Sequence, residues 1–379
     1  MRNQVVRLAL ITALVCCVPS VNAGKPAGGT TASSYTALSL GVLSEDAYSH
    51  GFGVSAAGSV VGQSVHFVTV SGSSMDVPRA FYWSRGTGML PLPTNIAADG
   101  TESTSIAWAI AGGVTGSEFA VGEESAVGKA THAVIWNSPP TTKATPLETD
   151  LSKGSWAKGV NEQGIAVGSW GLSAAIWVAD SSEIDDGYKR TDFTFVSGLP
   201  NEAEDVNEAG VVVGNADPGN QSRAGIRLAN GQVYPLPPVS GDAYSAALAV
   251  SNEFGMTVSG VAIKAVYVAG WTQSANGVQR AVRWTVNVGT GSVAGMILLP
   301  REWASGVNSG GDVLCNYGQG TKPPTLFRNN TYYSLKPPKG ATGAAAFGLA
   351  GAASSTTYAA GVAYSQRASS ERAVVWTIN

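Results

Sequence analysis

The amino-acid sequence predicts an all-β fold, a seven-bladed β-propeller of degenerate four-stranded repeats, and three features of the chain carry that prediction. A turn-bearing motif recurs at wide intervals. A Trp-ended motif follows each copy. The final unit stops one strand short, and a strand with no unit of its own stands near the N-terminus.

The first motif is clearest as Ala157-Lys158-Gly159-Val160-Asn161-Glu162-Gln163-Gly164-Ile165-Ala166-Val167-Gly168. It recurs from Ala203 to Gly214 and from Gly51 to Gly62, with weaker copies around Ala304–Asn308 and Val250–Gly255. Val-Asn-x-x-Gly reads as a strand end and turn, because Asn bonds its own backbone and Gly supplies positive φ. The Val-rich run after it reads as a second strand, ended by the last Gly.

The second motif reads Arg79-Ala-Phe-Tyr-Trp83, His132-Ala-Val-Ile-Trp136, Ala174-Ala-Ile-Trp177, Arg280-Ala-Val-Arg-Trp284 and Arg372-Ala-Val-Val-Trp376, with eroded copies at Ala224–Leu228 and Thr325–Phe327. Its alternation has the strand period. Anchors at 83, 136, 177, 228, 284, 327 and 376 make seven units, spaced by 41 to 56 residues. Leu-Pro pairs such as Leu92-Pro93, Leu199-Pro200, Leu236-Pro237 and Leu299-Pro300 place a fourth strand at an outer edge, where a missing ladder N–H is tolerable. Four short strands cannot bury both faces alone, so the units must pack side by side.

Closure is read from the chain ends. The last unit stops at Asn379, just past Trp376, while Leu38–Leu43 is a strand with no unit before it. Pairing the two completes the last unit and removes exposed edges. The domain layout expected is a signal peptide over 1–23, a flexible segment over 24–35 and one propeller domain over 36–379. Arg2 and Arg7, the apolar Leu8–Val18 run and Val21-Asn22-Ala23 carry the signal-peptide reading, which predicts a secreted, periplasmic or cell-surface protein with no membrane anchor after cleavage. Cys16 and Cys17 fall inside that segment, leaving Cys315 alone as a small buried residue without an internal disulfide.

Charged residues make up 13% of the chain against 44% apolar, enough for a core and too much for disorder. The net charge of −3 is not clustered, which argues against nucleic acid as a partner.

The alternation of Gly-Val-Asn-x-x-Gly-x-Val-Val-Gly with Arg/His-Ala-Phe/Val-x-Trp resembles the bacterial extracellular HAF-repeat proteins, whose signature is echoed by Arg79-Ala80-Phe81 and His132-Ala133-Val134. Leu40-Gly41-Val42-Leu43 is similar to the tail of that repeat. The resemblance implies export and a repeat fold, and it brings no catalytic residue.

No catalytic, metal or cofactor signature stands out. His132 occupies a position that Arg fills elsewhere, and His50 and His66 lack partners at metal spacing. Asp180, Glu183, Asp185 and Asp186 do not match a calcium loop. No Gly-x-Ser-x-Gly elbow, phosphate-cradling loop or sialidase-type box is found. What remains is a set of aromatics placed just before the first strand of several units: Tyr48, Trp108, Trp156, Tyr244 and Trp303. They are candidates for a ligand site around the channel mouth, stacking on sugars or a peptide; the alternative is that they wedge adjacent blades together. Segments 65–76, 180–193 and 262–269 read as insertions that would carry specificity.

The expected function is an exported, non-enzymatic scaffold binding a glycan or protein. Its rivals are a polysaccharide-acting hydrolase or lyase and a structural matrix protein.

Overall fold

Seven antiparallel sheets, one for each repeat, contain every assigned strand of the chain. In the computed structural model the described residues are 34–379, apart from 71–72, 95–102, 113–115, 127–128, 149, 151, 183–186, 218–220, 319–321, 352–355 and 366–370. The expected signal peptide, with Cys16 and Cys17, lies outside them, as does 24–33 of the segment after it. Glu183, Asp185 and Asp186 lie outside them too.

The chain opens with β1 (Tyr35–Gly41) and then builds its blades in order. Blade 1 is β2 (Tyr48–Val54), β3 (Val60–Val70), β4 (Ser73–Ser84) and β5 (Gly88–Pro91). Blade 2 is β6 (Ser103–Ala111), β7 (Phe119–Ala126), β8 (His132–Asn137) and β9 (Thr145–Pro146). Blade 3 is β10 (Ser155–Val160), β11 (Ala166–Trp170), β12 (Ser173–Ala179) and β13 (Tyr188–Phe193). Blade 4 is β14 (Asn201–Val206), β15 (Val212–Ala216), β16 (Arg223–Arg227) and β17 (Val233–Pro235). Blade 5 is β18 (Asp242–Val250), β20 (Val261–Ser274), β21 (Gln279–Asn287) and β22 (Val293–Leu299), with β19 (Phe254–Val258) as an extra strand on β20. Blade 6 is β23 (Trp303–Val307), β24 (Val313–Asn316), β25 (Thr325–Arg328) and β26 (Thr331–Ser334). Blade 7 is β27 (Gly343–Ala350), β28 (Thr357–Tyr364) and β29 (Arg372–Ile378), completed by β1.

Closure occurs as expected. β1 runs antiparallel to β29 from Tyr35↔Ile378 to Gly41↔Ala373. The seam is also stitched by side chains, for Arg372 donates to the Ala47 carbonyl and the Ala373 N–H donates to Ser49 Oγ. The same Ser latch joins ordinary neighbours: the Ala80, Ala133 and Ala224 N–H groups donate to the hydroxyls of Ser105, Ser155 and Ser245 on the following blades. The seam between the chain ends is therefore built like the other blade contacts.

Each first strand touches the first strands of both neighbours, so β2, β6, β10, β14, β18, β23 and β27 form a closed ring around the axis. Apolar side chains gather between blades rather than in one central core. Blades 1 and 2 share a cluster of Val61, Tyr82, Leu92, Ile110, Val134 and Trp136, and blades 4 and 5 share Ile226, Leu228, Leu236, Val268 and Trp284. Three of the Trp anchors also reach back across the interface: Trp136, Trp284 and Trp376 donate their indole N–H to the carbonyls of Pro93, Pro237 and Lys336.

The turn chemistry is as read. The buried Asn161 and Asn207 side-chain carbonyls each accept two N–H groups of their own turn, while their amide groups donate to Asn207 O and Ser251 O of the next blade. Gly164 and Gly210 sit at φ of 74° and 78°. These turns thus shape each hairpin and link adjacent blades.

Four expectations are corrected. The Gly closing Val-Val-Gly lies inside the second strand and does not end it: a Cβ at Gly62, Gly122, Gly168, Gly214, Gly270 or Gly361 would overlap a first-strand carbonyl oxygen. Leu92, Leu236 and Leu299 do mark the outer strand, at or just past its end, but Leu199-Pro200 leads instead into the innermost strand of blade 4. Residues 188–193 are the outer strand of blade 3 and not an insertion, whereas 65–70 and 73–76 extend the β3–β4 hairpin and 262–265 pair with the extra strand β19, both additions to their blades. Finally, the aromatics stand within the first strands, not before them. Among the described residues no helix is long and apolar enough to cross a membrane.

Candidate functional site

All seven first strands carry a β-bulge at the same place. The register slips between Gly51/Gly53, Ala107/Ala109, Ala157/Gly159, Ala203/Asp205, Ala247/Ala249, Ala304/Gly306 and Ala346/Gly348. The extra residue in each is Phe52, Trp108, Lys158, Glu204, Leu248, Ser305 and Phe347 in turn. A bulge re-aims a side chain without breaking the sheet. Here each re-aimed residue is partly exposed, while the small residue before it is buried. These strands are enclosed by the rest of the ring, so that exposure faces the central channel.

The flanking small residues explain how so many strands converge. A Cβ on Gly53 would meet Ala109 Cα at 2.8 Å, and one on Gly159 would meet Asp205 Cα at 2.8 Å. Adjacent first strands therefore approach one another closely just beyond the bulge.

Around the bulge the wall divides into two sectors. Blades 6, 7, 1 and 2 supply an aromatic arc, with ring centroids 6.1 Å apart for Trp303–Phe347, 5.7 Å for Phe347–Phe52 and 4.6 Å for Phe52–Trp108. Blades 3 and 4, with Glu123 from β7 of blade 2, supply a charged sector. Lys158 Nζ lies 4.7 Å above the Trp108 ring and 3.3 Å from Glu202 Oε1. Trp156 Nε1 donates to Glu202 at 2.6 Å, and Asn215 donates to Glu204 at 3.2 Å.

The electrostatics follow from enclosure. Desolvation pushes the Glu123 carboxyl up to about 7, against the pull of Lys158 and with the help of Glu202. Glu204 is moved upward by burial and by the neighbouring Glu202 charge. Asp205, one residue on, is pushed up to about 7 by burial although Val250 and Val206 N–H groups donate to it. Burial opposes the charge on Lys158, yet Glu202, Glu204 and Glu123 outweigh it and hold the ammonium protonated.

Nearer the entrance, His50 Nε2 lies 2.5 Å from Glu371 Oε2. Tyr48 donates to Asp76 at 2.8 Å and lies beside His50 and Phe67. Burial and that carboxylate raise the Tyr48 phenol.

Of the aromatics singled out from sequence, Tyr48 and Tyr244 stand near the start of the first strand, Trp156 and Trp303 two residues before the bulge, and Trp108 at the bulge itself. Their drift of two residues is one strand period, so they share a side of the strand at different depths. Trp303 and Trp108 belong to the aromatic arc, and Trp156 is tied into the charged sector. Lys158, Glu202, Glu204 and Glu123 were not singled out. A signal was present: Lys158 and Glu204 occupy the same repeat position, each directly after a small alanine, where blades 1, 2 and 7 carry Phe52, Trp108 and Phe347. Among the described residues no group of three or more metal-ligating side chains converges at metal-binding distance.

No family model and no curated protein matches the chain. Among solved structures it is similar to virginiamycin B lyase from Staphylococcus aureus, at 9% identity over 91% of this chain and 100% of that one, with a TM-score of 0.50. The likeness is one of fold. The Dos1 propeller aligns at 6% identity over 89% of this chain and 97% of that one, with a TM-score of 0.47. A luciferin-regenerating enzyme aligns at 11% identity over 91% and 96%, with a TM-score of 0.40.

Proposed function

We propose that this chain is an exported propeller of the HAF-repeat kind that binds a carbohydrate in its central channel. The observation that carries the reading is the aromatic arc of Trp303, Phe347, Phe52 and Trp108, a run of neighbouring rings on the first strands, each partly exposed. Sugar rings present apolar C–H faces that stack on such rings, while their hydroxyls need the polar groups across the channel. A rigid ring of blades holds the aromatics in place, so little ordering cost is incurred on binding.

The test is calorimetric titration of the purified chain with cellotetraose and related neutral tetrasaccharides, repeated with Trp303→Ala and Phe347→Ala. Each ring is expected to contribute about 1 kcal/mol, so each variant weakens binding by roughly fivefold to tenfold. Unchanged binding in both variants, or no binding of any tetrasaccharide to the parent, overturns the reading.

A second reading, a polysaccharide-cleaving enzyme, is favoured by Glu123, which holds a proton near neutrality beside the Lys158–Glu202 pair. Release of reducing or unsaturated ends from a bound oligosaccharide, lost in Glu123→Gln, would establish it.

A further inference from the structure

The charged sector contains more acid than base. Glu123, Glu202 and Glu204 converge on Lys158, the one cation among the groups that act on them. Glu202 is matched, being 3.3 Å from Lys158 Nζ and bonded by the Trp156 indole. Glu204 has the Asn215 amide and the unfavourable company of Glu202 and Asp205. Glu123, reaching in from β7, faces the same Lys158 and Glu202. Two carboxyls are thus left without a cation of their own in an enclosed wall, an arrangement that disfavours their ionised forms.

Two further features bear on what would enter. The Trp108 ring already accepts the Lys158 ammonium on its face at 4.7 Å, so a cation beside this aromatic wall is a contact the protein itself uses. The Trp108 ring is itself partly exposed, so the aromatic face and the charged groups lie side by side. A neutral sugar would leave the excess acid uncompensated, and an acidic one would add to it.

We infer that the carbohydrate taken in this channel carries a free amine, whose ammonium group joins Glu123, Glu202 and Glu204 beside Lys158 while its ring stacks on the aromatic arc. This rests on the carbohydrate reading above and specifies its substrate class. The consequence is linkage: an ammonium in this sector favours the ionised forms of Glu123 and Glu204, so binding expels the protons those two hold. The groups that set this balance are Lys158 from β10, Glu202 and Asp205 from β14 and Asn215 from β15 around Glu204, with Lys158 and Glu202 facing Glu123.

The experiment is isothermal titration of the full chain at about pH 6, in two buffers of different ionisation enthalpy. The probes are the glucosamine tetramer, the N-acetylglucosamine tetramer, cellotetraose and tetralysine. The glucosamine tetramer is expected to bind the parent about tenfold tighter than cellotetraose, with net proton release. In Glu204→Gln or Glu123→Gln, isosteric changes whose folding is checked by urea unfolding, the ratio of glucosamine-tetramer to cellotetraose affinity should shrink below about threefold. Equal affinity for the three saccharides overturns the inference and leaves the carbohydrate reading standing. So does an amine preference that survives in both Gln variants, or tetralysine binding as tightly as the glucosamine tetramer. If none of the saccharides binds, the carbohydrate reading falls and takes the inference with it.

Discussion

Replacing Asn207 by Ala tests whether the repeated turn holds the blades together as well as shaping each hairpin. The Asn207 side chain is 3% exposed. Its carbonyl accepts the Ala209 N–H at 3.0 Å and the Val211 N–H at 2.9 Å, and its amide donates to Ser251 O of the next blade at 2.9 Å. Ala cannot replace any of these. Ala209 is exposed, so its N–H finds water; Val211 and Ser251 are buried and their groups are left without partners. Each such orphan costs about 1–3 kcal/mol, which makes the expected loss about 4 kcal/mol. The control is Asn230→Ala, which removes a similar turn bond to Gln232 N–H at 3.0 Å from an exposed site and should cost about 0.5 kcal/mol. The assay is equilibrium urea unfolding followed by Trp fluorescence and circular dichroism. A loss below about 1.5 kcal/mol for Asn207→Ala, or one no larger than the control, refutes the reasoning.

Three further outcomes follow from the same contacts. Glu123 and Asp205 bind protons in the folded chain up to about pH 7, whereas their ordinary values are 4.5 and 3.8, so the stability these two groups contribute is complete below about pH 4 and is lost as pH rises through 7. Urea midpoints between pH 4 and 8 should show that decline, and Glu123→Gln should flatten it; an unchanged slope would contradict the assignment. Trp284 is fully buried between blades 4 and 5 and bonded to Pro237 O, so Trp284→Ala should cost about 4 kcal/mol and Trp284→Phe, which keeps most of the ring, about half as much. Removing residues 1–41 deletes β1 and exposes the β29 edge. Limited proteolysis should then release the 343–378 region first, and a parent-like digestion pattern would argue against the seam as the weak point.

Much of the fold was legible because its determinants are local. Asn161 and Asn207 shape their own turns, Gly164 and Gly210 supply the left-handed backbone, and the Trp-ended strands alternate with the period of a sheet. Closure was legible too, since the final unit lacked a strand and β1 had no unit of its own. The inner glycines were misread. Gly214 has a Val-Val-Gly context that looks like a strand end, and only the neighbouring first strand shows why a Cβ is excluded there.

Taken alone, the amino-acid sequence determined the number of units, the class of their strands and the way the ends meet. These depend on turn chemistry and side-chain alternation within a few tens of residues. Tertiary structure decided the site. Glu123, Lys158 and Glu204 come from three successive blades and meet only when those blades stack, with Lys158 and Glu204 each standing at the bulge of its first strand. Their protonation depends on the wall that encloses them, a property of the assembled ring that no segment of the chain carries by itself.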